Sequence, residues 1–171
     1  MEPARPDRPI PELSEADATA VLQVAQRLGR ARRVLAITGA GMSADSGLPT
    51  YRGVNGLYEA ERTTSHGHAI EEALSGRMLG DRPEVAWHHL LEIERAGRGA
   101  RPNRGHQVLA EMEGYLDAVW VLTQNVDGLH QAAGSRHVLE LNSDIHDLRC
   151  TRCRFSERVA DYSGLDLPQL C

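Results

Sequence analysis

Residues 34–41 of the chain read VLAITGAG, and this stretch decides the expected fold. Its first four residues are apolar, which is typical of a short strand buried in a sheet. The run then ends in three small residues, Gly39, Ala40 and Gly41. An apolar strand followed by a glycine-rich turn is typical of a phosphate-binding loop, because small residues let backbone N–H groups approach a pyrophosphate. Ala44 stands at the third position of the dinucleotide fingerprint, which allows Ala, although such a turn alone is about as typical of plain structure as of nucleotide binding.

Two further apolar runs extend the sheet pattern. Residues 118–122 read AVWVL and lead directly into the polar stretch TQNVD at 123–127, and residues 137–141 predict a third strand. Polar side chains therefore follow the ends of successive strands, which is where ligands bind in an open α/β sheet. The sequence predicts an α/β fold with a partial Rossmann-like parallel sheet.

Helical patterns surround these strands. Ser14 is typical of a helix N-cap, with Glu15 and Asp17 in the first turn. The predicted apolar face of this helix comprises Val21, Leu22, Ala25 and Leu28. Residues 53–100 are too long and too polar for one crossover helix and predict a loop followed by a helical insertion, and residues 102–113 predict another helix.

The composition argues against several classes of function. The formal net charge is −5, and the basic residues, all of them Arg, are scattered, so the sequence lacks the concentrated basic patch needed for sequence-independent nucleic-acid binding. The sequence contains no run of eighteen apolar residues, so no membrane-spanning segment is expected. Residues 1–12 are rich in Pro and charge and predict a flexible arm rather than a signal peptide, and we expect a cytoplasmic protein.

The glycine turn begins a longer motif. Residues 39–53 read GAGMSADSGLPTYRG, which closely resembles the sirtuin signature that opens with Gly-Ala-Gly and closes with Pro, any residue, Tyr or Phe, Arg and Gly. In sirtuins this segment binds NAD, and its aromatic and Arg residues lie on a mobile loop over the nicotinamide ribose. The resemblance implies these roles for Tyr51 and Arg52, with Arg52 also a candidate catalytic residue. The other residues that it assigns to the cofactor are Gly39, Ala40, Gly41, Ala44 and Asp45.

Residues 123–130, TQNVDGLH, resemble the second sirtuin signature. In the family its Gln, Asn and Asp line the ribose and nicotinamide pocket, which implies cofactor-binding roles for Gln124, Asn125 and Asp127. A nicotinamide carboxamide has one acceptor and two donors, so Asn125 and Asp127, or backbone groups near them, can pair with both of its ends, and we take both residues as candidate catalytic residues. A weaker match, PNRGH, ends in His106, which we expect to be structural rather than catalytic.

The position of the family's general base holds an asparagine. Sirtuins read Glu-Leu-His-Gly-Ser near the third strand, whereas this chain reads ELNSD at 140–144, with Asn142 in place of the His and Ser143 in place of the Gly. An amide has no proton affinity near neutral pH, and loss of a positioned base typically costs about 10²–10⁴-fold in rate. The sequence leaves open whether His146 or Asp144 substitutes, whether Asn142 is an engineered change, or whether activity has been lost naturally.

Three cysteines predict part of a zinc site. Cys150 and Cys153 form a C-x-x-C pair after the third strand, and Cys171 follows after seventeen further residues. This spacing is typical of a structural tetrahedral zinc site, and we favour zinc over a redox pair because no thioredoxin-like context is present in the sequence. The expected fourth ligand would follow Cys171, so we expect a chain that is truncated relative to the sirtuin family.

The motifs together define an expected organisation and function. We expect a flexible arm over residues 1–12, a partial NAD-binding Rossmann-like domain over 13–147 and the first part of a zinc-binding module over 148–171. The resemblance implies an NAD-dependent protein lysine deacylase, which transfers the acyl group of an acyl-lysine protein or peptide to ADP-ribose and releases nicotinamide. Asn142 and the truncation predict impaired activity in this chain. The alternatives are a catalytically inactive NAD-binding relative and, less favoured, an NAD hydrolase.

Acyl preference is indicated by the helical insertion. Sirtuins that favour succinyl or malonyl groups carry a Tyr and an Arg shortly after a Trp. This chain has Leu90 and Ile93 at those places after Trp87. An apolar pair suits acetyl or longer aliphatic groups, and the equally favoured alternative is that both residues are simply helix core.

Overall fold

The computed structural model describes residues 12–49 and 67–168, and a three-stranded parallel sheet lies at its centre. Its strands, in spatial order, are β1 (Arg33–Thr38), β2 (Ala118–Thr123) and β3 (Val138–Glu140). The predicted parallel α/β sheet is therefore confirmed. The chain outside the described ranges includes most of the predicted N-terminal arm, the predicted cofactor residues Tyr51 and Arg52, and Cys171.

The two faces of the sheet differ in burial. The strand register pairs Ile37 with Leu122 and Leu122 with Leu139, so these three side chains share one face. Ile37 is 70% exposed and Leu139 is 48% exposed. On the opposite face, Val119 and Val121 are each 1% exposed. One face of the sheet therefore packs into the core, and the other presents apolar side chains to solvent.

Helix α1 (Glu15–Leu28) begins at the predicted N-cap. The Ser14 hydroxyl oxygen accepts a hydrogen bond from the Asp17 amide at 3.2 Å. The predicted apolar face is not covered by any described residue, since Val21 is 54% exposed and Leu22 is 64% exposed. Local signals, the cap and the acidic first turn, favour this helix.

The predicted insertion is helical. Its described helices are α3 (Ile70–Ala73), α4 (Gly76–Asp81) and α5 (Pro83–Gly97). The Ser75 hydroxyl caps α4 by accepting the Met78 amide at 3.1 Å, and Pro83 opens α5, where a backbone N–H would have no helical partner. A small apolar core joins the three helices and comprises Ala73, Met78, Val85 and Ala86. The first part of the insertion, residues 53–66, lies outside the described ranges.

Helix α6 (Arg104–Met112) begins two residues later than predicted, because Asn103 acts as its N-cap. The Asn103 Oδ1 accepts the His106 amide at 3.4 Å, and the His106 Nδ1 accepts the Asn103 amide at 3.3 Å. This reciprocal pair is a capping box. The predicted structural role of His106 is confirmed.

Short elements complete the fold. Helix α2 (Ala40–Ser43) follows β1 directly and continues into a 3₁₀ turn at Ala44–Ser46, and α7 (Leu129–Ala132) follows the loop after β2. Strands β4 (Asp147–Arg149) and β5 (Ser156–Arg158) form an antiparallel hairpin in the predicted zinc-binding module. None of the helices within residues 12–49 and 67–168 is long and apolar enough to cross a membrane.

Ser143 occupies the place of the sirtuin glycine, and its backbone φ of 61° lies in the left-handed region. This conformation costs a non-glycine residue about 1–2 kcal/mol. We expect Ser143→Gly to have a free energy of unfolding about 1 kcal/mol higher than Ser143→Ala, because both variants remove the hydroxyl but only Gly relieves the strain. Urea unfolding measures the difference, and equal stabilities would contradict the prediction.

Candidate functional site

The candidate site lies at the carboxyl end of the parallel sheet. One loop begins at Gly39 after β1, a second covers residues 124–127 after β2, and Asn142 follows β3. Strands β1 and β2 stay in register to their last residues, Thr38 and Thr123, so the two loops start side by side. The sheet therefore brings together the two segments that the sequence assigned to the cofactor.

Hydrogen bonds join these two loops. The Asn125 side-chain amide donates one N–H to the Gly39 carbonyl and the other to the Ser43 hydroxyl, each at 3.1 Å. The Ser43 hydroxyl donates in turn to Oδ2 of Asp127 at 2.6 Å. Ser43 is 2% exposed and Asn125 is 6% exposed, so water competes little for these groups. We call Ser43, Asn125 and Asp127 the loop network.

Asp127 is held from two sides. Its Oδ1 accepts the Leu129 amide at 3.0 Å, while its Oδ2 accepts the Ser43 hydroxyl. Both N–H groups of the Asn125 amide are used within the network, so the group that Asn125 can offer a ligand is its carbonyl oxygen. Ser43 was missed as a site residue, although it lies inside the 39–53 motif as a small hydroxyl close to the glycine turn.

A cavity of about 220 Å³ opens beside the loop network. Its walls come from both loops, from the C-terminal part of α5 and from residues 145–146, and they include Ala40 and all of the loop network. Small-molecule sites are typically about 300–1,000 Å³, so this cavity has room for one part of a dinucleotide. The other predicted cofactor residues within the described ranges lie in the same loops but not in the cavity wall: Gly39, Gly41, Ala44, Asp45 and Gln124.

An ion pair with a buried carboxylate lies on the α5 side of the cavity. The Glu94 side chain is 0% exposed, and Arg98 donates to its two oxygens at 2.9 Å and 2.5 Å. This bidentate geometry compensates the buried carboxylate, which would otherwise be strongly unfavourable. The sequence did not predict this pair, because a Glu and an Arg four residues apart are typical of a solvated helix surface.

Asn142, just after the third strand, is not part of the cavity wall. Asn142 is exposed, and its amide donates to the Gln124 carbonyl at 2.9 Å. Asp144 is buried, and its Oδ1 accepts both the backbone amide and the Nδ1–H of His146, each at 2.9 Å. Burial raises the pKa of Asp144, but hydrogen bonds from His146 and Arg158 outweigh it and leave the pKa below its ordinary value. His146 lines the cavity, whereas Asn142 does not.

Two buried histidines lie beneath the loops. The rings of His106 and His130 are 4.7 Å apart, and Nε2 of His130 shares a hydrogen bond with the Thr38 hydroxyl at 2.9 Å. Burial, followed by the neighbouring His106, lowers the pKa of His130 to about 4, with Asp127 opposing the shift. Burial also lowers the pKa of His106. Both rings are therefore neutral at pH 7 and serve as packed, hydrogen-bonding groups.

The cysteine pair lies at the β4–β5 hairpin. The Arg152 amide donates to Sγ of Cys150 and the Phe155 amide donates to Sγ of Cys153, each at 3.4 Å. A C-x-x-C pair whose two sulfurs lie at the same hairpin fits half of a tetrahedral zinc site. Within residues 12–49 and 67–168, no third ligand group joins these two sulfurs, and Cys171 lies outside those ranges.

Comparison with known proteins identifies close relatives. The sequence profile of the Sir2 family matches residues 39–166. An NAD-dependent protein deacylase 2 from Pseudomonas syringae pv. tomato is 46% identical over 154 residues, which are 88% of this chain and 61% of that protein. A protein of the same name from Pseudomonas aeruginosa is 48% identical over 135 residues, which are 78% of this chain and 52% of that protein. The chain thus spans between half and about three fifths of the length of these relatives.

Solved structures give the same match. A Sir2 homologue mutant in complex with ADP-ribose superposes with a TM-score of 0.72 at 34% identity, covering 87% of this chain and 56% of that one. A Sir2 complex with a deacetylated p53 peptide and 3′-O-acetyl ADP-ribose has a TM-score of 0.71 at 31% identity, covering 88% of this chain and 59% of that one.

Removal of the Ser43 hydroxyl tests the loop network. Ser43→Ala leaves a buried Asn125 N–H and an Asp127 oxygen without their partner, so we expect a loss of about 1–3 kcal/mol in the free energy of unfolding. Ser156→Ala, at an exposed position of β5, is the matched control and should change stability little. Chemical denaturation compares the two variants, and equal stabilities would show that the network contributes nothing.

The buried histidines predict acid sensitivity. His130 titrates near its ordinary pKa in the unfolded chain and near 4 in the fold, so the unfolded state binds more protons between those values. Stability is therefore full above about pH 6.5 and falls as the pH is lowered towards 4. In His130→Gln, which cannot titrate but can still bond Thr38, the free energy of unfolding should fall less over this range. Parallel pH profiles for the two proteins would contradict the assignment.

Proposed function

This chain belongs to the Sir2 family, and on that premise we propose that its protein is an NAD-dependent protein lysine deacylase. The reaction transfers an acyl group from a lysine side chain to ADP-ribose and releases nicotinamide. The two Pseudomonas relatives are named NAD-dependent protein deacylases, and a similar Sir2 structure contains a deacetylated peptide with an acetyl ADP-ribose. Because the chain spans only part of these relatives, the proposal concerns the activity of the complete protein.

The observation that carries the proposal is the loop network beside the cavity. The network joins the segments after β1 and β2 through buried hydrogen bonds, and it leaves the Asn125 carbonyl and the Asp127 carboxylate as acceptors at the cavity wall. A primary carboxamide, which has two N–H donors, is chemically matched to these acceptors. We therefore assign nicotinamide recognition to Asn125 and Asp127, with Ser43 holding both in position.

We assign the parts of NAD other than the nicotinamide mainly to the loop after β1. NAD supplies the ADP-ribosyl group that accepts the acyl group. The small residues of the turn suit backbone contact with a pyrophosphate, and Gln124 stands at the start of the neighbouring loop. The residues that we assign to this part of NAD are Gly39, Ala40, Gly41, Ala44, Asp45, Tyr51, Arg52 and Gln124.

The proton acceptor is the point at which this chain departs from the family pattern. Asn142 cannot accept a proton near neutral pH. His146 is the only imidazole among the described residues of the cavity wall, and the Asp144 carboxylate holds its Nδ1–H so that Nε2 is the basic nitrogen. An imidazole oriented by a carboxylate is the usual arrangement of a general base. We therefore propose His146 as the base of this chain.

A neutral acyl group fits the α5 wall. Ile93 lines the cavity, and the nearby Arg98 guanidinium is already neutralised by Glu94, so it is poorly placed to bind the carboxylate of a succinyl or malonyl group. These contacts support the preference for acetyl or longer aliphatic groups that Leu90 and Ile93 suggested. The substrate class is then an acyl-lysine protein or peptide.

Zinc is the second group that we assign to the protein. Cys150 and Cys153, with amide N–H groups directed at their sulfurs, would supply two thiolates, and Cys171 a third. The zinc would have a structural role, holding together the module that begins at β4. We also retain a cytoplasmic location, where cysteines bind metal more often than they form disulfides.

Nicotinamide release tests the function, and turnover of the peptide tests the base. In the complete protein we expect release from NAD that depends on an acetyl-lysine peptide. His146→Gln should lower the steady-state rate of peptide deacetylation by about 10²–10⁴-fold while NAD affinity is unchanged, because a lost base affects turnover rather than cofactor binding. His137→Gln, at a half-exposed position outside the cavity wall, is the matched control.

The other outcomes separate the alternatives. An unaffected His146→Gln would remove His146 as the base, and an Asn142→His variant with a higher rate would then locate the base at position 142. NAD binding without release in all of these variants would favour an inactive relative. Release that does not depend on the peptide would favour an NAD hydrolase.

A further inference from the structure

Helix α5 carries three metal-ligating side chains within about one helical turn. His88, His89 and Glu92 each offer one ligand atom, and these three atoms all lie within 4.8 Å of one another. Positions three and four residues apart are neighbours on a helix surface, so Glu92 contacts both preceding histidines. None of the three residues lines the cavity or belongs to the loop network.

The distances within this cluster match a metal site. Nδ1 of His89 is 2.9 Å from Oε2 of Glu92, and Nε2 of His88 is 3.5 Å from Oε1. Ligand atoms about 2.0–2.2 Å from a tetrahedral zinc ion are about 3.4 Å apart from each other. The carboxylate and the two rings are therefore already close to the spacing that an ion requires.

The cluster combines a fixed ligand with accessible ones. The His89 side chain is 1% exposed and its ring meets the His88 ring edge-on with centroids 5.1 Å apart, so packing limits the movement of His89. The side chains of His88 and Glu92 are 44% and 47% exposed, respectively. An ion can therefore enter from solvent, and water can complete its coordination.

The donor set indicates the class of ion. Two imidazoles and one carboxylate, with an open position for water, are the ligands of open zinc sites and suit other borderline first-row divalent ions such as Ni²⁺. Mg²⁺ and Ca²⁺ prefer all-oxygen sites. A carboxylate only accepts hydrogen bonds, so without a metal the His89 Nδ1 that bonds Glu92 carries the proton that the ion would replace.

We propose that His88, His89 and Glu92 form a binding site for Zn²⁺ or a similar borderline divalent ion on helix α5. The site is independent of the cysteine pair at the β4–β5 hairpin. The same helix supplies Ile93 and Glu94 to the cavity wall, one position and two positions beyond Glu92. A bound ion cross-links the turn that leads into this wall and stabilises it.

Metal titration of matched variants tests the site. The metal-free chain is titrated calorimetrically with Ni²⁺ and, separately, with Zn²⁺, and compared with His88→Ala and Glu92→Gln, both at accessible positions. The control is His68→Ala, because His68 and Glu72 form a two-residue pair of the same type at 3.3 Å. All variants keep the cysteines, so differences between them report on the α5 site alone.

We expect both site variants to lose about 10–100-fold or more in affinity for Ni²⁺ and to lose one equivalent of bound Zn²⁺, while His68→Ala binds like the unmodified chain. Added metal should raise the melting temperature of the unmodified chain more than that of Glu92→Gln, and circular dichroism checks that the variants fold. The proposal would be overturned if all four proteins bound metal equally. It would also be overturned if the unmodified chain and Glu92→Gln had the same metal affinity.

Discussion

The candidate site depends on one buried side-chain amide. Asn125 uses both of its N–H groups to bond the loop after β1, at Gly39 and Ser43. The parallel sheet aligns the two strand ends, but strand pairing alone does not fix the positions of the loops beyond them. Buried polar groups are stable only when they are paired, so the amide and the hydroxyl hold each other in a single arrangement. The cavity beside them takes its shape from that arrangement.

The buried carboxylate of Asp144 links the β4–β5 hairpin to the loop after β2. Asp144 bonds Arg158 of β5 at 2.6 Å, and Arg158 also bonds Asp147 of β4 at 2.7 Å. Asp144 also packs against the turn at Gly128, where a Cβ would lie 2.7 Å from its Oδ2 and where φ is +67°. Only glycine adopts this φ without strain and also leaves room for the carboxylate at that turn. The hairpin that holds the cysteine pair is thus connected to the loop after β2 through one carboxylate.

The sequence predicted the features that depend on local patterns. The three strands, the Ser14 cap and the helical insertion follow from apolar periodicity and capping chemistry, which act over a few residues. Contacts between segments that are distant in the sequence could not be predicted from such local patterns. The Ser43–Asp127 bond spans 84 positions, and the pairing of Glu94 with Arg98 becomes significant only because tertiary packing buries the carboxylate. Spacing predicted the apolar face of α1, but spacing alone could not show that none of the described residues covers this face.

The exposure of Asn142 explains how the family pattern can break at the position of the base. Asn142 is exposed, and its side-chain amide bonds the backbone carbonyl of Gln124, so substitution there removes little buried interaction. A change at Ser43 or Asn125 would instead leave buried donors or acceptors unpaired, which costs stability as well as ligand contacts. The residues that form the binding loops are therefore constrained by folding, whereas the residue at the base position is constrained by chemistry alone. A chain can lose its base at position 142 and keep the loops, the cavity and the buried histidines that support them.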